Sequence, residues 1–143
     1  MEGDVKSQSD TYTIAMFTIE QINEVHDKLG TMNTFLGYIT ALKLLGVERF
    51  HSYLIDGHSQ YFGAGGYCIE SEPVHERLLI ADNSDKESFL HHLSLHEQRK
   101  TDYITMSRGL AESGIEKWTV DTIAATISYC DKQGNQLLVE AIV

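Results

Sequence analysis

Apolar residues recur along this chain first at helical spacing and then at strand spacing, and that order occurs twice. Thr18 followed by Gln21 reads as a capping box, with Phe17 and Ile22 placed as a hydrophobic staple across it. Ile19, Ile22, Val25 and Leu29 then form one stripe of a helix that Gly30 closes. A second helix is predicted over 34–45, with Phe35, Ile39 and Leu42 facing the core and Gly46 as its left-handed stop. After Gly46 the period changes to two. Residues 47–55 read as a strand, Asp56-Gly57 as a two-residue hairpin turn and 58–62 as the returning strand. That turn would pair residue 53 with 60 and residue 51 with 62. Gly63, Gly65 and Gly66 interrupt the pattern, and the next strand is best placed at 75–80.

The second half follows the same plan. Ser84 with Glu87 reads as a capping box, opening a helix that carries Phe89, Leu90 and Leu93. Thr101 reads as the cap of a helix with Tyr103, Met106 and Leu110 on one stripe and Gly114 as its stop. Strands are predicted over 115–122, 124–130 and 136–142, the last two joined by a turn over 131–135. A shift of 68 residues aligns 33–50 with 101–118 without a gap, so that Gly46-Val-Glu-Arg-Phe50 meets Gly114-Ile-Glu-Lys-Trp118. The expectation is an α+β fold made of a duplicated helix-helix-strand-strand-strand module, with antiparallel sheet packed against helices. Residues 1–15 read as a flexible tail, and 16–143 as one domain whose halves are about 17–80 and 84–143. The two helix-stop glycines should then tolerate alanine equally badly.

Composition narrows the function classes. With 11 basic and 21 acidic residues the formal charge of the 143-residue chain is −10. That field repels phosphate backbones and anionic lipid surfaces, so neither nucleic acid nor membrane is expected as a partner. Cys68 and Cys130 form no C-x-x-C pair and read as buried free thiols in a reducing compartment. Neither an apolar span nor a leader-like stretch is visible, and a cytoplasmic location is expected.

Candidate chemistry concentrates in the first hairpin, where His51, Tyr53, Asp56, His58 and Tyr61 lie close in sequence. A histidine beside a carboxylate can act as a general base or hold a polar ligand, so His51, Asp56, His58 and Tyr61 are the catalytic candidates. The simpler reading is a turn aspartate among strand-forming aromatics. His92 and His96 stand one helical turn apart, a spacing that can share a zinc or nickel ion. The string between them lacks the glutamate of a zinc protease, and a solvated helix face is the simpler reading. Arg49 and Lys117, matched by the 68-residue shift, read as strand-edge charges answering Glu48 and Glu116, and Trp118 as a core anchor. Gly63-Ala-Gly-Gly66 lacks the lysine and helix start of a phosphate loop, and no nucleophile motif occurs. No cofactor is implied.

The strings FTIEQINEVH, LGVERF, DGHSQYFG and TDYITMSRGLAESGIEKWTVD resemble a family of small uncharacterised bacterial and prophage proteins, often labelled phage envelope protein and grouped as YdfO-like. The resemblance spans about 16–143 and implies an α+β fold, with no activity and no site residues attached. The function expected from all of this is non-catalytic binding of a protein or small-molecule partner, with a homodimer as one arrangement and phage or prophage ancestry implied by resemblance. The alternative is a small-molecule binder or enzyme built on the His51/Asp56/His58/Tyr61 region.

Overall fold

The structure is a computed structural model that describes residues 16–29 and 35–143. Helix α1 (Ile19–Leu29) starts at the expected capping box: Gln21 N–H donates to Thr18 Oγ1 at 3.1 Å, and Thr18 N–H donates to Gln21 Oε1 at 2.9 Å. Phe17 and Ile22, the staple pair, are both fully buried. The expected stop at Gly30 lies outside the described residues. Helix α2 (Phe35–Leu45) buries Tyr38, Ile39 and Leu42, and Gly46 follows with φ +109°. Strands β1 (Arg49–Tyr53) and β2 (Ser59–Phe62), a single turn of 3₁₀ helix (Ala64–Gly66) and the short strand β3 (Cys68–Glu70) complete the first half.

The second half contains helices α3 (Lys86–Glu97) and α4 (Tyr103–Glu112) and strands β4 (Ile115–Asp121), β5 (Thr126–Asp131) and β6 (Gln136–Ala141). Both helix caps differ from expectation by one residue. Asp85, not Ser84, accepts the Ser88 N–H, and Asp102, not Thr101, accepts the Thr105 N–H. A carboxylate one position later satisfies the same orphan donors and suits the positive end of the helix dipole. The Ser84 hydroxyl instead donates to Asp131.

All six strands join one antiparallel sheet in the order β3-β2-β1-β4-β5-β6. The fold is therefore α+β, with a helix-helix-strand pattern in each half. In the central β1/β4 pair, His51 lies opposite Thr119, the residue 68 positions later.

Alternation along the strands separates two faces. Phe50, Tyr61, Val120 and Tyr129 point toward the helices and enter two buried clusters. The first gathers Phe17, just before α1, with Ile22, Ile39 and Leu42 from α1 and α2; the second gathers Phe89, Leu93, Met106 and Leu110 from α3 and α4. Half-buried Trp118 and Ile127 pack against both clusters and so join them. Among the described residues, no helix covers the opposite face.

Two predicted strand features are corrected. The first hairpin pairs His51 with Gln60 and Arg49 with Phe62, two residues away from the two-residue-turn register. Its loop is longer because Leu54 turns into the second core cluster, 1% exposed, and gives its N–H to Glu116 across the sheet. The Gly57 N–H then closes the loop on the Tyr53 carbonyl at 2.8 Å. Residues 75–80 are not a strand; the third strand of the first half is Cys68–Glu70. Leu78 and Ala81 make isolated backbone bonds to Ile55 and Ala111 while Leu79 stays exposed, as suits a connection crossing between halves.

Candidate functional site

Strand alternation sends Arg49, His51 and Tyr53 of β1 to the uncovered face, and antiparallel pairing sets Gln60 and Phe62 of β2 and Lys117 and Thr119 of β4 beside them. These side chains form a row. The Arg49 guanidinium lies 4.3 Å from the Phe62 ring centre, and that ring meets the His51 imidazole edge-on at 5.2 Å. His51 lies 6.1 Å from Tyr53, and the Lys117 ammonium sits 5.8 Å from the Tyr53 ring. A cation thus stands against an aromatic ring at each end, with an imidazole in the middle.

His51 Nδ1 shares a 2.7 Å hydrogen bond with Thr119 Oγ1. Partial burial, then the charges of Lys117 and Arg49, push its pKa down to about 4, so the ring is neutral at pH 7. The Tyr53 hydroxyl donates to Gln60 Oε1 at 2.7 Å, and the Gln60 amide donates to Glu70 at 2.9 Å. Burial and the charges of Glu116 and Glu70 raise the Tyr53 pKa, which keeps the phenol protonated as a donor.

At the hairpin tip, His58 stacks on Tyr53, with ring centres 4.6 Å apart, and its Nδ1 lies 2.5 Å from Asp56 Oδ1. Asp56 also accepts the His58 backbone N–H at 3.0 Å. Partial burial pushes the Asp56 carboxyl up, but the His58 hydrogen bonds and the His58 and His75 charges outweigh it, leaving its pKa lowered. The carboxylate orients the imidazole, as a positioned base requires.

The four hairpin candidates do not share one place. His51, Asp56 and His58 belong to the uncovered face or its rim. Tyr61 points to the opposite side, 7% exposed in the core beside Phe50 and Tyr38. A surface cavity of about 420 Å³ lies between residues 78–81 and α4, lined by Leu78, Leu79, Ala81, Arg108, Ala111 and Glu112, and contains none of the four.

His92 and His96 face different tasks. His92 packs where a Cβ on Gly109 would collide with its ring, and His96 Nδ1 lies 3.1 Å from the Thr101 carbonyl. Among the described residues, no group of three histidine, cysteine or acidic side chains is arranged to hold a metal ion. Cys130 is buried as expected, but Cys68 is exposed, because the edge strand β3 places it on the uncovered face beside Phe62. Arg49 and Lys117 do not answer Glu48 and Glu116: among the described residues neither is joined to a carboxylate in an ion pair.

The sequence reading did not anticipate the β1/β4 pairing that brings Lys117 and Thr119 to His51. The signal was present in the 68-residue alignment of Arg49 with Lys117. It also missed a polar contact under the hairpin loop, where a Cβ on Gly57 would meet His75 Nε2 and Tyr103 Oη, and where His75 Nε2 is buried with no hydrogen-bond partner among the described residues.

Residues 23–141 match a protein family described only as of unknown function, DUF1398. No curated protein matches the chain. No helix among the described residues is long and apolar enough to cross a membrane.

Proposed function

The chain belongs to the DUF1398 family, whose function is unknown, and on that premise we propose that it is a non-catalytic binding protein whose interaction surface for a protein partner is the uncovered face of its sheet. One observation carries the reading: the row Arg49–Phe62–His51–Tyr53–Lys117. Aromatic side chains with arginine mark the energetic centres of protein interfaces, and among the described residues helices lie on one side of this sheet only, which leaves the row free to meet a partner. The duplication is part of this proposal. The opposition of His51 to Thr119 supports it, since a twofold relation between the halves requires some residue to face its own counterpart. Phage or prophage ancestry rests on the resemblance alone.

A second reading, a small-ligand or catalytic role at the hairpin tip, is favoured by the Asp56–His58 contact. The surface cavity between residues 78–81 and α4 does not include that contact.

Cys68 gives a native test, being exposed on the proposed surface. A photocrosslinker on its thiol, with the labelled full chain returned to native extract, should trap one protein repeatedly. The same crosslinker moved to Asn23 or Glu87, exposed positions on α1 and α3, should not trap that protein. The yield from Cys68 should fall in a folded Tyr53→Ala variant. Trapping from the helices alone, or no product from Cys68, contradicts the reading.

A further inference from the structure

We propose that the partner presents an acidic segment, with two carboxylates received by Arg49 and Lys117 and an apolar group between them over His51. The inference rests on the uncovered face being the binding surface and adds the chemistry of what it binds.

The argument begins with which charges on this face are already occupied. Asp121 lies opposite Arg49 in the ladder, yet its carboxylate accepts the backbone N–H groups of Ile123 and Ala124 at 2.9 and 2.8 Å. Glu70 accepts the Gln60 amide, and Asp56 is held by His58. Glu116, at the bulge in β4, forms no ion pair with Lys117. Asp121, Glu70 and Asp56 are thus engaged, Glu116 acts on Tyr53 without pairing with Lys117, and among the described residues the two cations stand against aromatic rings and join no ion pair. On a chain of formal charge −10 this is the local exception.

Spacing gives the inference its geometry. Arg49 occupies the rung with Asp121, and Lys117 the rung with Tyr53, with the His51/Thr119 rung midway. Four residue steps along the strands amount to ~13 Å. That exceeds the ~8 Å screening length of physiological salt, so the cations act as two separate contacts. Between them His51 is neutral and bound to Thr119, so the centre of the row offers aromatic surface and no charge. The partner's complement is an apolar centre flanked by carboxylates. The overall negative field slows the encounter of such a partner, but contact pairs against desolvated rings act at short range.

The test uses the crosslinker on Cys68 of the full chain, with three variants: Arg49→Glu, Lys117→Glu and the double reversal. The partner peptide trapped by the wild-type chain should carry at least two acidic residues. Each single reversal should lower the yield by about tenfold, and the double reversal by roughly the product, as independent contacts require. Arg49→Lys should retain most of the yield. Should a reversal variant fail to fold, judged by its thermal transition, Arg49→Gln and Lys117→Gln replace it with the same expectation. A trapped peptide without acidic residues, or a yield indifferent to reversal, overturns the acidic-segment inference and leaves the interaction surface standing. No trapping from Cys68 in any chain overturns both.

Discussion

At the scale of single residues, glycine replacements separate what the sequence shows from what packing adds. Gly46 and Gly114 both follow helices with positive φ, +109° and +87°, so alanine at either costs roughly 1–2 kcal/mol of backbone strain. Sequence alone makes them equal, and their surroundings differ. A Cβ on Gly46 would meet Met16 at 3.4 Å, whereas one on Gly114 would lie 2.7 Å from the Asn83 carbonyl oxygen and Ser84 Cα. Gly114→Ala should therefore be clearly the more destabilising in urea midpoints, because backbone cannot swing aside. Gly37→Ala should be neutral or stabilising, since Gly37 lies within α2 with nothing within 4 Å of the added methyl. His51 makes a second residue-scale prediction. Its pKa falls from 6.5 to about 4 on folding, so between those values the unfolded chain binds a proton that the folded chain does not. Its contribution is complete above about pH 6.5 and is lost as the pH falls toward 4. Urea midpoints measured across that window should fall more steeply for the wild type than for His51→Gln, and parallel curves would show that His51 is not held neutral.

At the scale of elements, caps and hairpins show where local pattern suffices. Thr18–Gln21 was legible because both halves of the capping box and the staple are local to one turn. Asp85 and Asp102 were missed because serine, threonine and aspartate cap about equally well, and sequence does not say which of two adjacent residues turns inward. Asp85→Ala and Asp102→Ala should each lower the urea midpoint, and Thr101→Ala distinctly less, because the Thr101 hydroxyl makes only a long contact, 3.4 Å to His96, among the described residues. Equal losses at 101 and 102 would put the cap back where the sequence suggested. The hairpin register was not legible, because it depends on Leu54 leaving the strand for a core built by α3 and α4. Leu54→Ala should cost roughly 2–5 kcal/mol, an effect a mere loop residue would not have.

At the scale of the whole molecule, the four helices and five of the six strands followed from periodicity, the third strand of the first half did not, and the 68-residue alignment pointed to a matching plan in each half. The candidate site did not follow in the same way. Alternation puts His51 and Tyr53 on one face, but only the antiparallel joining of β1 to β4 adds Lys117 and Thr119, and that pairing joins residues far apart in sequence, His51 to Thr119 and Tyr53 to Lys117. The central claim is that this face is where a protein partner sits. Hydroxyl-radical footprinting of the chain tests it most directly, comparing the protein in native extract with the purified protein. Tyr53, Phe62 and His51 should lose several-fold in labelling, while Leu44 and Leu79, exposed apolar residues at 83% and 91%, should label equally in both. Protection confined to Leu44 or Leu79, with the row unchanged, would contradict the account.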